Sequence, residues 1–133
     1  MEKIKSFFAK KDAFTGKCGI ELLEVGTGTA KAKVQLQPEH LNGVAIAHGG
    51  IIFTLADFVF AAASNSHGTI AVAINANISY LKAVKDGVLF AEAREVSCSR
   101  KIASYAIDVT DENGDKIAIF QGMVYRKDAP LIP

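Results

Sequence analysis

Residues 50–65 read GIIFTLADFVFAAASN. A run of 16 residues without a turn signal is too long for a strand buried on both faces, and its alanine and leucine favour helix. Such a helix is about 24 Å long. It is apolar on nearly every side, so it belongs inside a core. Asp57, near its middle, fits a protein core better than a bilayer. A single apolar helix of this kind needs sheet around it, and the flanking sequence supplies strands.

Upstream, residues 20–25 and 29–36 read as two strands joined by Gly26-Thr27-Gly28, with Ala30, Ala32, Val34 and Leu36 alternating with Lys31, Lys33 and Gln35. Pro38 ends the second. Downstream, residues 70–81, 88–97, 102–110 and 116–125 return to a period of two. Asp86-Gly87 predicts a hairpin between the first two of these, and Asn113-Gly114 a two-residue hairpin between the last two. Residues 3–10 predict a short amphipathic helix without the features of a signal peptide. Strands, one helix and four more strands imply an α+β fold, with a long antiparallel sheet wrapped around a central helix. One helix covers only part of a sheet face, so the leftover apolar area calls for a partner subunit.

The chain has 133 residues, half of them hydrophobic, which suits one domain spanning residues 1–133. A net charge of +1 gives no support to a nucleic-acid or membrane-surface binder. No charge-free run of about 20 apolar residues occurs, so no membrane span is expected. Cys18 and Cys98 lie in no ligand or redox spacing and read as reduced thiols of a cytoplasmic protein. His40, His48 and His67 make no metal set, and no metal ion or separate cofactor is expected.

Chemistry concentrates in Asn42, His48, Gly49, Gly50 and Asp57. Gly49 and Gly50 open the helix, where free N–H groups and a partial positive charge can hold a developing oxyanion. The alternative is a merely flexible helix start. Asp57 is costly inside an apolar helix unless it is either bonded to a neighbouring strand or used as a base or nucleophile. Thr54, Ala61 and Ser64 share its face by spacing. Gly49 and Asp57 are eight residues apart, about 12 Å along the axis. They can meet at one carbonyl only if they come from two copies, which predicts a two-fold dimer with two shared sites. Arg100 and Lys101, after Ser99 in a strand connection, are either a solvated turn or a phosphate contact.

The pattern Asn42-x5-His48-Gly49-Gly50-x2-Phe53-x-Leu55-Ala56-Asp57, continuing to Asn65-Ser66, resembles the hotdog-fold acyl-CoA thioesterases, closest to the phenylacetate-degradation (PaaI-like) type. The likeness covers about residues 15–126. It implies that Gly49 donates to the thioester oxygen, that Asp57 of the neighbouring subunit attacks or activates water, and that Asn42 helps position water or carbonyl. His48 would support the loop. Gly50, Ser99, Arg100 and Lys101 would contact substrate, the basic turn at the coenzyme A phosphates. Asn75 and Asn77 occupy the strand where some members carry an auxiliary hydroxyl. The expected reaction is hydrolysis of an acyl-CoA, of aryl or hydroxyphenylacetyl type by likeness, with coenzyme A as part of the substrate. Dimers pairing into tetramers are expected. The alternatives are a hydroxyacyl thioester dehydratase or hydratase of the same fold, and an acyl-CoA-binding module without turnover.

Overall fold

A computed structural model describes residues 1–133. Helices α1 (Glu2–Lys11) and α2 (Ala13–Lys17) lead into strands β1 (Ile20–Gly26) and β2 (Thr29–Gln35). A 3-10 turn at Pro38–His40 precedes helix α3 (Gly49–Ser64), and strands β3 (Thr69–Tyr80), β4 (Val88–Cys98), β5 (Ile102–Thr110) and β6 (Lys116–Pro130) follow. All six strands form one antiparallel sheet in the order β1-β2-β4-β5-β6-β3. The α+β hotdog arrangement expected from the sequence is present, with α3 lying mainly across β2, β4 and β5.

Alternation drives this packing. In β2 the inward residues Ala30, Ala32 and Val34 are buried, and in β5 Ala103, Tyr105, Ile107 and Val109 are buried. The small alanines let the helix approach the sheet, and large side chains of α3 fill the remaining space. Phe60 is 1% exposed and packs on Tyr105 (5.9 Å between centroids) and Phe120 (5.6 Å). Burying such a ring contributes about 1.5–3 kcal/mol. Gly122 of β6 makes room for it, because a Cβ there would stand 2.5 Å from the Phe60 ring. On the other side of α3, Phe58 meets Phe8 of α1 edge-on at 6.3 Å, which clamps the N-terminal helix over the middle of α3.

Three expectations need correction. Asp86-Gly87 is not a hairpin turn. β3 pairs with β6 at the sheet edge and β4 pairs with β2 and β5, so residues 81–87 cross from the edge into the sheet. Strand pairing, which is nonlocal, overrode a turn dipeptide, which is local. Asn113-Gly114 does lie in the β5–β6 hairpin, but the loop runs from Asp111 to Asp115. Asp111 Oδ1 accepts the N–H groups of Asn113 and Asp115, both at 2.9 Å, and so closes a longer turn. Finally, α3 is not buried all round. Gly50 is exposed, and Phe53, Thr54, Asp57 and Ala61 are only half-buried, which leaves one stripe of the helix uncovered by its own chain. Ser64, expected on that stripe, is buried at 2% exposure under the turn that follows.

Candidate active site

The segment leading into α3 is locked before the helix begins. Asn42 Oδ1 accepts the N–H of Val44 (3.0 Å) and of Ile46 (3.3 Å), while Asn42 N–H donates to the Ile46 carbonyl at 2.8 Å. Ala45 is thereby held at φ 62°. This left-handed backbone costs a residue with a side chain about 1–2 kcal/mol. His40 is buried, with Nδ1 accepting Gln37 N–H at 2.9 Å and Nε2 lying 2.8 Å from the Cys18 carbonyl. Its own carbonyl accepts the N–H of His48 at 2.8 Å. These bonds deliver His48 to the N-cap of α3 in an extended conformation (φ −62°, ψ 137°).

His48 Nδ1 accepts the Gly50 N–H at 2.8 Å. Gly50 was expected to contact substrate, but its backbone donor is occupied by this cap. The neighbouring N–H of Gly49 has no acceptor within the chain. It points out of the first turn of a 16-residue helix, where the unpaired donors and the helix dipole favour negative charge. Tyr80, at the end of β3, donates its hydroxyl to the Gly49 carbonyl at 3.2 Å. Its ring lies against Gly49, where a Cβ would stand 3.2 Å from Tyr80 Cζ. Asn42, Ile46, Gly49, Tyr80 and Lys82 line an open pocket of about 350 Å³. Lys82 is held at its rim by Asp115 (2.7 Å) and Asp111 (3.7 Å).

Asp57 is on the uncovered stripe of α3, two turns from Gly49. Its carboxyl is half-buried and held above the ordinary carboxylate range, first by burial and then by the negative charge of Asp12. No hydrogen bond to its own chain offsets this desolvation. Asp12 sits at the junction of α1 and α2, where it caps α2 by accepting Thr15 N–H at 3.1 Å. Phe53 shares the stripe with Asp57 and packs on Phe120 at 5.3 Å. Phe58 and Phe60 turn inward and cannot face a ligand.

The basic turn lies elsewhere. Ser99 Oγ accepts Ile102 N–H (3.3 Å) and bonds the Ile102 carbonyl (2.8 Å), which closes the β4–β5 connection. Lys101 approaches Asp128 at 3.6 Å and lies 5.5 Å over the Tyr125 ring. Arg100 makes no ion pair and projects into solvent. Arg126 braces the turn by donating to the Ser99 carbonyl at 2.8 Å. Arg126 is opposite Ala71 and Ala118 is opposite Tyr80, so the turn and Gly49 sit at opposite ends of β3. Nine residues of strand separate those ends, about 30 Å.

The structure therefore gathers Asn42, His48, Gly49 and Gly50 at one end, places Asp57 midway, and leaves Ser99, Arg100 and Lys101 at the other. Asn75 and Asn77 are exposed on β3. Tyr80 and Asp12 were not anticipated. A tyrosine ending a strand and an aspartate in a helix junction carry no motif, and each matters only through a neighbour remote in sequence.

A sheet around a helix whose first turn offers a free N–H can hold a developing oxyanion. The sequence of residues 45–118 matches the thioesterase superfamily. A relative from Archaeoglobus fulgidus is 41% identical, covering all of this chain and 87% of that protein. The acyl-coenzyme A thioesterase PaaI of Escherichia coli is 31% identical over 88% of this chain and 84% of its own length. The structure of that PaaI superposes with a TM-score of 0.93, covering 97% of this chain and 94% of PaaI, at 28% identity. A Streptococcus pneumoniae structure, titled a hypothetical thioesterase protein with coenzyme A, superposes with a TM-score of 0.85 at 25% identity, covering 94% of this chain and 98% of the other. The chain belongs to the thioesterase superfamily, in its PaaI-like branch, and is a thioester hydrolase.

Proposed function

We propose that the chain hydrolyses acyl-coenzyme A thioesters at two equivalent sites, each built from Gly49 of one protomer and Asp57 of the other. The observation that carries this reading is an unpartnered pair in one helix, the free Gly49 N–H and the unbonded Asp57 carboxyl, held too far apart to serve one carbonyl. A two-fold axis perpendicular to α3 sets the two helices antiparallel and brings each group to the other's complement. The uncovered stripe of α3 and the free edge of β3 support such a contact, and Val72 and Ile74 on that strand are 39% and 53% exposed. The same operation carries the Arg100–Lys101 turn of one copy toward the Gly49 end of the other, where the phosphates of a bound coenzyme A would need cations. Coenzyme A in the Streptococcus pneumoniae relative is consistent with this substrate class.

Burial and Asp12 both raise the proton affinity of Asp57. That suits a proton acceptor. Asp57 takes a proton from water, and the oxygen attacks the carbonyl carbon. The oxyanion rests on Gly49 N–H. The C–S bond then breaks, and the leaving thiolate recovers the proton from Asp57. Asn42 is near enough to the pocket to orient the carbonyl or the water, and His48 holds the turn that aims Gly49. Phe53 beside Asp57 supplies an aromatic surface for an aryl acyl group, the class suggested by likeness to PaaI. The outer face of the sheet keeps Val96 and Ile119 64% and 42% exposed, which suits pairing of dimers into tetramers. No helix is long and apolar enough to cross a membrane, and both cysteines are free; we place the activity in the cytoplasm.

The test is thiol release from aryl, short-chain and medium-chain acyl-CoAs by the native chain and by Asp57→Asn. Full activity in a folded Asp57→Asn protein would end the assignment. A single turnover in oxygen-18 water separates the two chemistries. Label appears directly in the acid if water is activated, and first in the Asp57 carboxyl if Asp57 is the nucleophile.

A further inference from the structure

A second cluster of reactive side chains sits at the opposite end of α3 from Gly49. Glu95 and Cys98 are three residues apart on β4, a spacing that puts side chains on opposite faces of a regular strand. Here the register against β5 slips by one. Glu95 is opposite Tyr105, Ser97 is opposite Ser104, and Cys98 is opposite Ala103. Tyr105 and Ala103 both face the core, at 0% and 1% exposure. The extra residue, Val96, thus returns Cys98 to the face of Glu95, as bulges re-aim side chains elsewhere. His67 reaches the same point from the turn that ends α3. The three ligand atoms, one each from His67, Glu95 and Cys98, lie within 4.8 Å of one another.

The cluster is anchored from several sides. His67 Nε2 lies 2.6 Å from Glu95 Oε1, and the buried Tyr105 donates its hydroxyl to the same oxygen at 2.6 Å. Glu95 N–H donates to the Gly28 carbonyl at 2.8 Å, and Gly28 N–H donates to Ser66 Oγ at 2.7 Å. The β1–β2 turn therefore ties the strand that carries Glu95 to the residue preceding His67. Cys98 alone is exposed, which leaves one side of the cluster open to solvent.

We propose that His67 Nε2, a Glu95 carboxylate oxygen and Cys98 Sγ form an open three-ligand site for a zinc-class divalent cation, with water in the fourth position. Imidazole, carboxylate and thiolate are the donors such a cation takes, and three protein ligands with one open position are a recurring arrangement. Zinc bonds of about 2.0–2.3 Å set tetrahedral ligands about 3.4 Å apart. The closest pair opens by about 1 Å and the widest closes by a similar amount, movements within reach of an exposed cysteine and a turn histidine. Binding replaces the His67–Glu95 hydrogen bond by two metal bonds; the Nε2 proton leaves that nitrogen, the neutral imidazole keeping its N–H at Nδ1, and the Cys98 thiol proton is released to solvent. Tyr105 then holds the ligating carboxylate from behind, as outer partners of metal ligands do. This site is independent of Asp57 and of the hydrolysis proposed above.

Titration of the chelator-washed full chain with Co²⁺ tests it. One Co²⁺ per chain is expected, with the strong near-ultraviolet absorption of a cobalt–thiolate bond, and Zn²⁺ displaces it. Cys98→Ser, at an exposed position, abolishes that band. Tyr105→Phe keeps the band and weakens binding by about 10–100-fold. Zn²⁺ raises the melting temperature of the native chain and not that of Cys98→Ser. Absence of a thiolate band in the native chain overturns the proposal, as does a weak spectrum that Cys98→Ser leaves unchanged, the signature of adventitious surface binding.

Discussion

Replacing Gly49 by proline removes one hydrogen-bond donor and sets the ring Cδ where its hydrogen pointed. Proline has no N–H and is well accepted at the first position of a helix. The residue before it must be extended, and His48 already is, at φ −62° and ψ 137°. The ring meets Tyr80, which is 52% exposed and free to shift by a few tenths of an ångström. Loss of a single oxyanion donor lowers the rate by about 10²–10³-fold, or about 2.7–4 kcal/mol of transition-state stabilisation. Gly49→Pro should therefore fold normally and hydrolyse acyl-CoA at that reduced rate or below it, since Cδ also crowds the oxyanion position. Pairing it with Asp57→Asn then separates shared sites from private ones. The two variants, carrying different affinity tags, are co-expressed and the mixed dimer is isolated by passage over both resins. One of its sites combines Gly49 of the Asp57→Asn copy with Asp57 of the Gly49→Pro copy, so it is whole; the other carries both lesions. The expected activity is about half that of the native dimer, far above either parent. A mixed dimer no more active than its parents would show that Gly49 and Asp57 never meet across the two-fold axis. A folded Gly49→Pro enzyme at full rate would show that this N–H polarises nothing.

Asp57 has a raised folded-state pKa, so the stability associated with it is present below about pH 3.9 and lost as pH rises through the raised value. Asp57→Asn should consequently melt higher than the native chain at pH 7, with the gap shrinking on acidification toward pH about 4; equal melting temperatures at neutral pH would contradict the desolvation argument. Asp12→Asn keeps a cap for Thr15 N–H but removes the charge that helps raise Asp57. The acid limb of kcat/KM should then move to lower pH, and an unmoved limb would disconnect the two carboxylates. Gly122→Ala drives a Cβ to 2.5 Å from the Phe60 ring and should destabilise the fold by about 1–3 kcal/mol in urea titrations. Arg100→Ala should raise KM for acyl-CoA while leaving a short acyl-pantetheine thioester unaffected, with Lys101→Ala weaker because Asp128 already engages that ammonium; equal effects on both substrates would take the turn out of phosphate binding.

Much of this was legible in the chain before any coordinates. The apolar run at residues 50–65 and the alternation in residues 29–36 and 102–110 named helix and strands to within a residue or so, because a period of 3.6 or 2 is written by consecutive side chains. His48, Gly49 and Asp57 stood out for a related reason: a histidine and glycine at a helix start, and an acid in an apolar helix, are anomalies visible against their immediate neighbours. Even the expectation of a second copy came from the rise of a helix. What failed, or was invisible, depended on atoms far away in sequence. Asp86-Gly87 looked like a hairpin until β6 claimed β3 as its neighbour. Gly49 and Gly50 looked equivalent until the His48 ring bonded one N–H and left the other free. Tyr80 on Gly49, Asp12 on Asp57, and His67 with Glu95 and Cys98 exist only as juxtapositions, the last made by a one-residue slip between strands. Short-range sterics and hydrophobic periodicity are recorded residue by residue along a chain. Which donor stays unpaired and which carboxyl loses its water are decided by the surfaces that meet when the chain closes on itself.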